Sequence, residues 1–248
     1  MTTILITGAS SGLGAEMARQ FAAAGHDLAL CARRTDRLDE LRGELLAAHP
    51  DRRVEVRALD ADDDEAVHAV FTDFRTTLGR IDRVVVNAGI GKGAPLGTGR
   101  HDANRRTAVT NFLGALAQVD AAVEIFRAQE AGHLVVVSSM AAMRGMPGAT
   151  ATYAATKAAV AHLAEGVRAD VHGTAIKVTV LYPGFITSEM NDGVGGNPPM
   201  IVSTEKGVRA MVAAIEKEKA SACVPALPWA PLSVVMKHAP MPLFRKLV

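Results

Sequence analysis

Tyr153-Ala154-Ala155-Thr156-Lys157 sets a phenol and an ammonium one helical turn apart on the same face. A free phenol titrates near ~10 and is a poor base at neutral pH. A fixed lysine charge beside it, helped by an oxidised nicotinamide, favours the phenolate and brings it toward a useful acid/base range. A second constellation, Thr7-Gly8-Ala9-Ser10-Ser11-Gly12-Leu13-Gly14, joins the short run Ile4–Ile6 to a helical tract. Glycines there let the backbone turn sharply and approach a ligand. The N–H groups of the helix start then face a pyrophosphate. The spacing is TGxxxGxG, which differs from the GxGxxG of the standard dinucleotide fingerprint. The second apolar run ends in Ala32-Arg33-Arg34, where an acidic side chain would otherwise accept from a ribose 2′-hydroxyl. A guanidinium fork matches a 2′-phosphate instead, so the expected cofactor is NADP.

These residues need a scaffold that gathers them. Apolar runs at Ile4–Ile6, Leu28–Ala32, Val54–Val56, Val84–Val86, Leu134–Val137, Val178–Leu181 and, more weakly, Ala222–Val224 lack polar alternation, as strands buried on both faces do. Tracts of helical period lie between most of them: Gly14–Ala24, Arg37–Ala48, Asp62–Leu78, Asn104–Gln129, Tyr153–Val171 and Thr204–Lys219. The rhythm predicts an α/β fold, a doubly wound and mainly parallel sheet of about seven strands with helices on both faces. A (β/α) barrel would want eight units, more than the sequence shows. The length of 248 residues suits one domain over 1–248.

Composition excludes several classes. With 27 basic and 26 acidic residues, the net charge of +1 leaves no footprint for nucleic acid or an anionic membrane. Cys31 and Cys223 are too few for a disulfide framework or a zinc site, and the histidines show no metal-ligand spacing. No charged n-region or cleavage site precedes the first strand, and a soluble, cytoplasmic protein is expected. Two segments break the rhythm. Residues 188–203 are rich in glycine and proline and carry Met190, Met200 and Ile201, which predicts a substrate lid with those side chains inward. From Pro225 the tail, 225–248, is dense in proline, which argues against a long regular helix. Its Trp229, Leu232 and Phe244 should pack beside the lid or on a neighbouring subunit; its Lys237, Arg245 and Lys246 keep a peripheral membrane contact as the rival.

TGASSGLG (7–14), Asn87-Ala88-Gly89, Asn111, Ser138-Ser139, YAATK (153–157) and Pro183-Gly184 occur in order and together resemble the short-chain dehydrogenase/reductase family. The resemblance runs from residue 3 to about residue 190 and implies a single Rossmann-type domain. It implies Tyr153 as general acid/base and Lys157 as the group that lowers the phenol's pKa and bonds the nicotinamide ribose. Ser139 would hold and polarise the substrate oxygen, and Asn111 would help keep a water in a proton relay behind the lysine. Gly8, Ser10, Ser11, Gly12, Leu13 and Gly14 would form the phosphate turn, and Arg33 and Arg34 would meet the 2′-phosphate. Asp60, ending the third strand, would contact the adenine, with Ala61 beside it. Asn87, Ala88 and Gly89 would line the adenosine ribose and brace the sheet. Pro183, Gly184 and Ile186 would sit against the nicotinamide, and Ser188 would bind its carboxamide where threonine is common. Tyr153 follows Ser139 by fourteen positions where the family pattern has thirteen. Ser138 would be further still, so Ser139 is the better candidate.

The expected activity is NADP-dependent interconversion of a carbonyl and a hydroxyl on a small, apolar substrate. Met140, Met143 and Met146 supply adaptable pocket lining, or ordinary core packing, and Phe185 adds to the apolar character. No metal is required, because the cofactor carries the hydride and the tyrosine the proton. The alternatives are a 3-oxoacyl-thioester reductase with the same catalytic set, and a dinucleotide-sensing binding protein that has lost turnover. A homodimer or homotetramer built through the helices that hold Asn111 and Tyr153 is expected from the resemblance.

Overall fold

The computed structural model describes residues 2–91, 93–189 and 200–247. Seven strands form one sheet in the order β3-β2-β1-β4-β5-β6-β7, and every adjacent pair is parallel. They are β1 (Thr3–Thr7), β2 (Asp27–Ala32), β3 (Val54–Ala58), β4 (Arg83–Val86), β5 (Ala131–Val137), β6 (Ala175–Pro183) and β7 (Ser221–Val224). The connecting helices are α1 (Gly12–Ala23), α2 (Thr35–Ala48), α3 (Asp64–Leu78), α4 (His101–Ala108), α5 (Gly114–Gln129), α6 (Ala151–Asp170) and α7 (Thr204–Glu216). The doubly wound sheet expected from the apolar rhythm is thus present, and it is wholly parallel.

Period-two alternation explains why the strand runs are unbroken. Leu5 points to one face, where Val67, Phe71 and Phe74 of α3 and Phe126 of α5 meet Val84 and Leu134. Ile4 and Ile6 point to the other, where Met17 and Phe21 of α1 and Val208 and Met211 of α7 meet Leu28, Leu30 and Val135. Both faces are covered, so neither set of side chains can be polar. The tract 101–129 is long and apolar enough by composition to cross a bilayer, yet it packs here on α3, β4 and β5.

Two elements differ from expectation. The helix read as continuous over 104–129 contains a π-helical turn, Val109–Leu113, between α4 and α5. Asn111 lies in it, and its side chain closes both polar groups of Ile90: the Ile90 N–H donates to Oδ1 at 2.8 Å and Nδ2 donates to the Ile90 carbonyl at 3.0 Å. The proline-rich tail is helical after all, as α8 (Ala226–His238) and α9 (Met241–Leu247). Leu227 breaks helical geometry, so regular winding starts at Pro228 and Pro231 falls within the first turn. Proline is tolerated there because few of those N–H groups have a partner inside the helix. Trp229 and Phe244 are buried within the chain itself.

Candidate active site

Strand order reverses between β1 and β4, which opens a crevice beyond their carboxyl ends. The glycine turn leaves β1 there, and Asn87-Ala88-Gly89 leaves β4 beside it. Thr7 and Asn87 lock the two together. The Thr7 hydroxyl accepts from the Asn87 and Ala88 N–H groups, each at 3.0 Å, and Asn87 Nδ2 donates to the Thr7 carbonyl at 2.9 Å. Gly8 has φ +63°, and a Cβ there would lie 2.9 Å from Ala88 Cα. A Cβ on Gly14 would overlap the Gly8 carbonyl, so α1 can lie against the turn only with glycine at that place. Side chains cap α3 (Asp63) and α7 (Ser203), whereas Ser11 at the head of α1 makes no side-chain cap. The α1 amides therefore stay directed at the crevice, and turn plus uncapped helix start fit a pyrophosphate.

The side chains of α6 and the end of β5 form the second wall. The Ser139 hydroxyl lies on the Tyr153 side, where it favours the ionised phenol, and accepts from Ala141 N at 3.1 Å. Ser138 turns the other way, is buried, and donates to the Lys157 carbonyl at 2.7 Å. A short 3-10 turn, Gly148–Thr150, leads from this strand end into α6. Lys157 is buried, donates to the Val137 carbonyl at 2.9 Å, and lies 5.9 Å from the centre of the Tyr153 ring. Burial pulls its pKa down to about 8. A Cβ on Gly89 would stand 3.1 Å from Asn111 Oδ1 and 3.5 Å from Lys157 Nζ, so that glycine leaves a gap between them.

Burial raises the Tyr153 pKa, and the Ser139 hydroxyl offsets this only in part. In the protein alone, desolvation outweighs the distant ammonium, and the phenol keeps its proton. That is the form able to donate.

The remaining residues divide. Arg34 reaches into the glycine turn, with Nη2 2.6 Å from Ser11 Oγ and Nε 3.3 Å from Ser10 Oγ, while Arg33 is exposed at the end of β2. Arg37 and Glu189, not singled out in the sequence, join this group: Glu189 accepts from Arg34 Nη1 at 3.1 Å and from Arg37 Nη1 at 2.5 Å. Asp60 is exposed two residues beyond β3, and Ala61 is buried with its carbonyl against Gly114 of α5. Leu13 packs on the α1 side of the core. Ser188 Cβ lies 3.5 Å from the place of a Cβ on Gly12, over the phosphate turn. Pro183 ends β6 and is buried. The Ile186 side chain packs into the core against Gly207 of α7. Trp229 of α8 covers Gly184 and meets Phe185 edge-on, with ring centres 5.5 Å apart.

Met140, Met143 and Met146 pack with Trp229, Leu232 and Met236, so the tail roofs the end of β5 and β6. Of the expected lid, 190–199, and with it Met190, lies outside the described residues. Its ends are paired through Ile186 and Val202. Met200 is exposed, contrary to the inward placement expected of it. Among the described residues no cluster of His, Cys, Asp or Glu could hold a metal ion. A groove of about 630 Å³ between α1, α2 and α7, lined by Glu16, Arg19 and Glu205 among others, holds none of the chemistry-bearing residues.

Residues 2–198 match the family model described as short chain dehydrogenase. The chain is 51% identical over 243 residues to an uncharacterized oxidoreductase of Mycobacterium tuberculosis, covering 98% of this chain and 96% of that protein. It superposes on a short-chain dehydrogenase from Sphingobium yanoikuyae in complex with NADPH at 27% identity and a TM-score of 0.84, over 99% of this chain and 96% of that one. A short-chain dehydrogenase/reductase from Burkholderia phymatum in complex with NAD shares the fold, with a TM-score of 0.85 at 21% identity over 98% and 94%. The chain belongs to the short-chain dehydrogenase/reductase family and is an oxidoreductase of that family.

Proposed function

We propose that the protein reduces a carbonyl, or oxidises the matching alcohol, on a small apolar substrate with NADP(H), and that Tyr153 transfers the proton. The observation that carries this reading is the Tyr153 ring 5.9 Å from the buried Lys157 Nζ, one helical turn along α6, at the strand end that presents Ser139. A nicotinamide dinucleotide supplies hydride transfer when bound. Ser139 donates a hydrogen bond to the substrate oxygen and holds it against Tyr153. The Tyr153 O–H then gives its proton to that oxygen. The Lys157 ammonium stabilises the phenolate left behind and is placed to reach a ribose hydroxyl. Asn111 positions the strand-end loop at Ile90 through both of its amide groups. Met143, Met146 and Phe185 favour an apolar substrate.

NADP rather than NAD is supported by Arg34 at the glycine turn and by the lack of an acidic residue at Ala32-Arg33-Arg34. The thiols Cys31 and Cys223, both free, suit a reducing cytoplasm. Leu113 and Leu116, exposed on the helix beside Asn111, suit burial in a homodimer or homotetramer. The test is Tyr153→Phe, which keeps the ring and removes the proton. NADPH binding should persist while turnover of ketones and aldehydes falls on the order of 10²–10⁴-fold. Full turnover in Tyr153→Phe, or equal use of NADH by the unmodified protein, would overturn the corresponding half of the reading.

A further inference from the structure

The Glu189 carboxylate is held by two guanidinium groups from one side of the crevice. One oxygen accepts from Arg34 Nη1 at 3.1 Å and the other from Arg37 Nη1 at 2.5 Å. Arg34 also holds Ser10 and Ser11 of the phosphate turn, so one acidic side chain, two arginines and the turn form a single cluster. The pull of Arg37 and Arg34 lowers the Glu189 pKa to about 2, which keeps it charged at neutral pH. Glu189 is the neighbour of Ser188, which lies over Gly12. The cluster is therefore an anion seat, made by the end of β2 and the start of α2, already filled by an anion from a distant segment.

We propose that Glu189 occupies the seat of the cofactor's 2′-phosphate and competes with it for Arg34 and Arg37, which makes Glu189 a determinant of cofactor preference. Carboxylate and phosphate offer a guanidinium the same paired oxygen acceptors, so each can replace the other on the same forks. The phosphate carries more charge and has three acceptor oxygens, so it wins the exchange. The ion pairs it must break are exposed, with 42–49% of each side chain accessible, and such pairs are individually weak. NAD brings no anion to the seat and leaves the carboxylate in place. Arg37 thereby joins Arg34 as a phosphate-binding residue. The inference rests on the reading of the protein as NADP-binding.

Calorimetric titration of the full-length protein with 2′,5′-ADP and with 5′-ADP tests it without turnover. Glu189→Gln keeps the size of the side chain and removes its charge. It should tighten 2′,5′-ADP and NADPH about three- to tenfold, the range expected from losing two exposed ion pairs, and leave 5′-ADP and NADH within about twofold. In an Arg37→Met background the gain should shrink toward none. If the unmodified protein prefers 2′,5′-ADP but Glu189→Gln does not tighten it, seat-sharing is overturned and the cofactor reading stands. If 2′,5′-ADP and 5′-ADP bind alike in both proteins, the cofactor reading fails and takes this inference with it. Equal tightening of all four ligands would make Glu189 a mere steric obstacle. Weaker NADH binding in Glu189→Gln would make the carboxylate the acceptor for a 2′-hydroxyl. Either result overturns the proposal.

Discussion

Adjacent serines at the end of β5 should separate stability from chemistry. Ser138 is 3% exposed and donates to the Lys157 carbonyl at 2.7 Å, tying β5 to α6. Ser138→Ala removes that second bond to a carbonyl that keeps its helical partner, a loss of about 0.5–1.5 kcal/mol. In a chain of this size about 1 kcal/mol lowers Tm by about 2–4 °C. Ser139 touches a different set of groups: its hydroxyl faces the phenol and caps the turn at Ala141 N, 3.1 Å away. Ser139→Ala removes one donor to the reacting oxygen, a loss on the order of 10²–10³ in kcat when such a donor is aimed at developing charge. The lost cap should shift stability by no more than about 1 kcal/mol. Differential scanning calorimetry and steady-state turnover on the two variants settle the division. Near-normal turnover in Ser139→Ala together with collapse in Ser138→Ala at an unchanged Tm would refute the assignment.

Two further outcomes follow from the far end of the sheet and from the tail. His133 is buried between Arg83 Nε at 3.0 Å and Thr179 Oγ1 at 2.8 Å, and burial, aided by the Arg83 charge, lowers its pKa to about 3. The unfolded chain binds a proton near ~6.5, so between those values it holds more protons than the native state, and stability falls as pH falls. From pH 7 to pH 5 the loss should be about 2 kcal/mol in urea denaturation, and His133→Gln should flatten that slope; an equal slope in the variant rules the histidine out as its source. Arg144 stacks on Phe244 at 4.6 Å and donates to the Met236 and Ala239 carbonyls at the end of α8. Arg144→Ala should loosen the tail and shift the emission of Trp229, the only tryptophan, to the red; an unshifted spectrum would show that α8 is held by its apolar contacts alone.

The sequence disclosed those features that depend on neighbours along the chain. Val84–Val86 and Leu134–Val137 are legible as strands because both faces of a parallel sheet are covered, which leaves no polar position in the run. The glycine turn and the Tyr153–Lys157 spacing are local too. What escaped depends on partners far away. The π-turn at Asn111 exists because an amide reaches the Ile90 backbone, and no periodicity records such a bond. Glu189 joins Arg37 across 152 positions, and its one-letter surroundings carry no trace of an anion seat. The tail was misread because proline density was weighed without position: at the head of a helix Pro228 and Pro231 cost little, and Trp229 between them finds Gly184 bare enough to cover.

Charge is handled oppositely at the two ends of this sheet. At the amino end Arg83 is buried, yet it has Glu216 at 2.5 Å and the neutral His133 as acceptors, so its charge is matched within the fold. At the carboxyl end Lys157 is buried with a carbonyl as its partner, and among the described residues no carboxylate is paired with it. Burying an ammonium without a counter-charge is unfavourable, which is why its pKa falls to about 8. The same end presents Arg34 and Arg37, matched only by Glu189 from another segment. A fold stabilised for its own sake would pair the Lys157 ammonium as it pairs Arg83. Left as they are, these cations match the negative charges that the proposed reaction would bring: phosphate at the turn and a phenolate once Tyr153 has given up its proton. The local violation of good packing electrostatics is thus the part of the structure that only the chemistry accounts for.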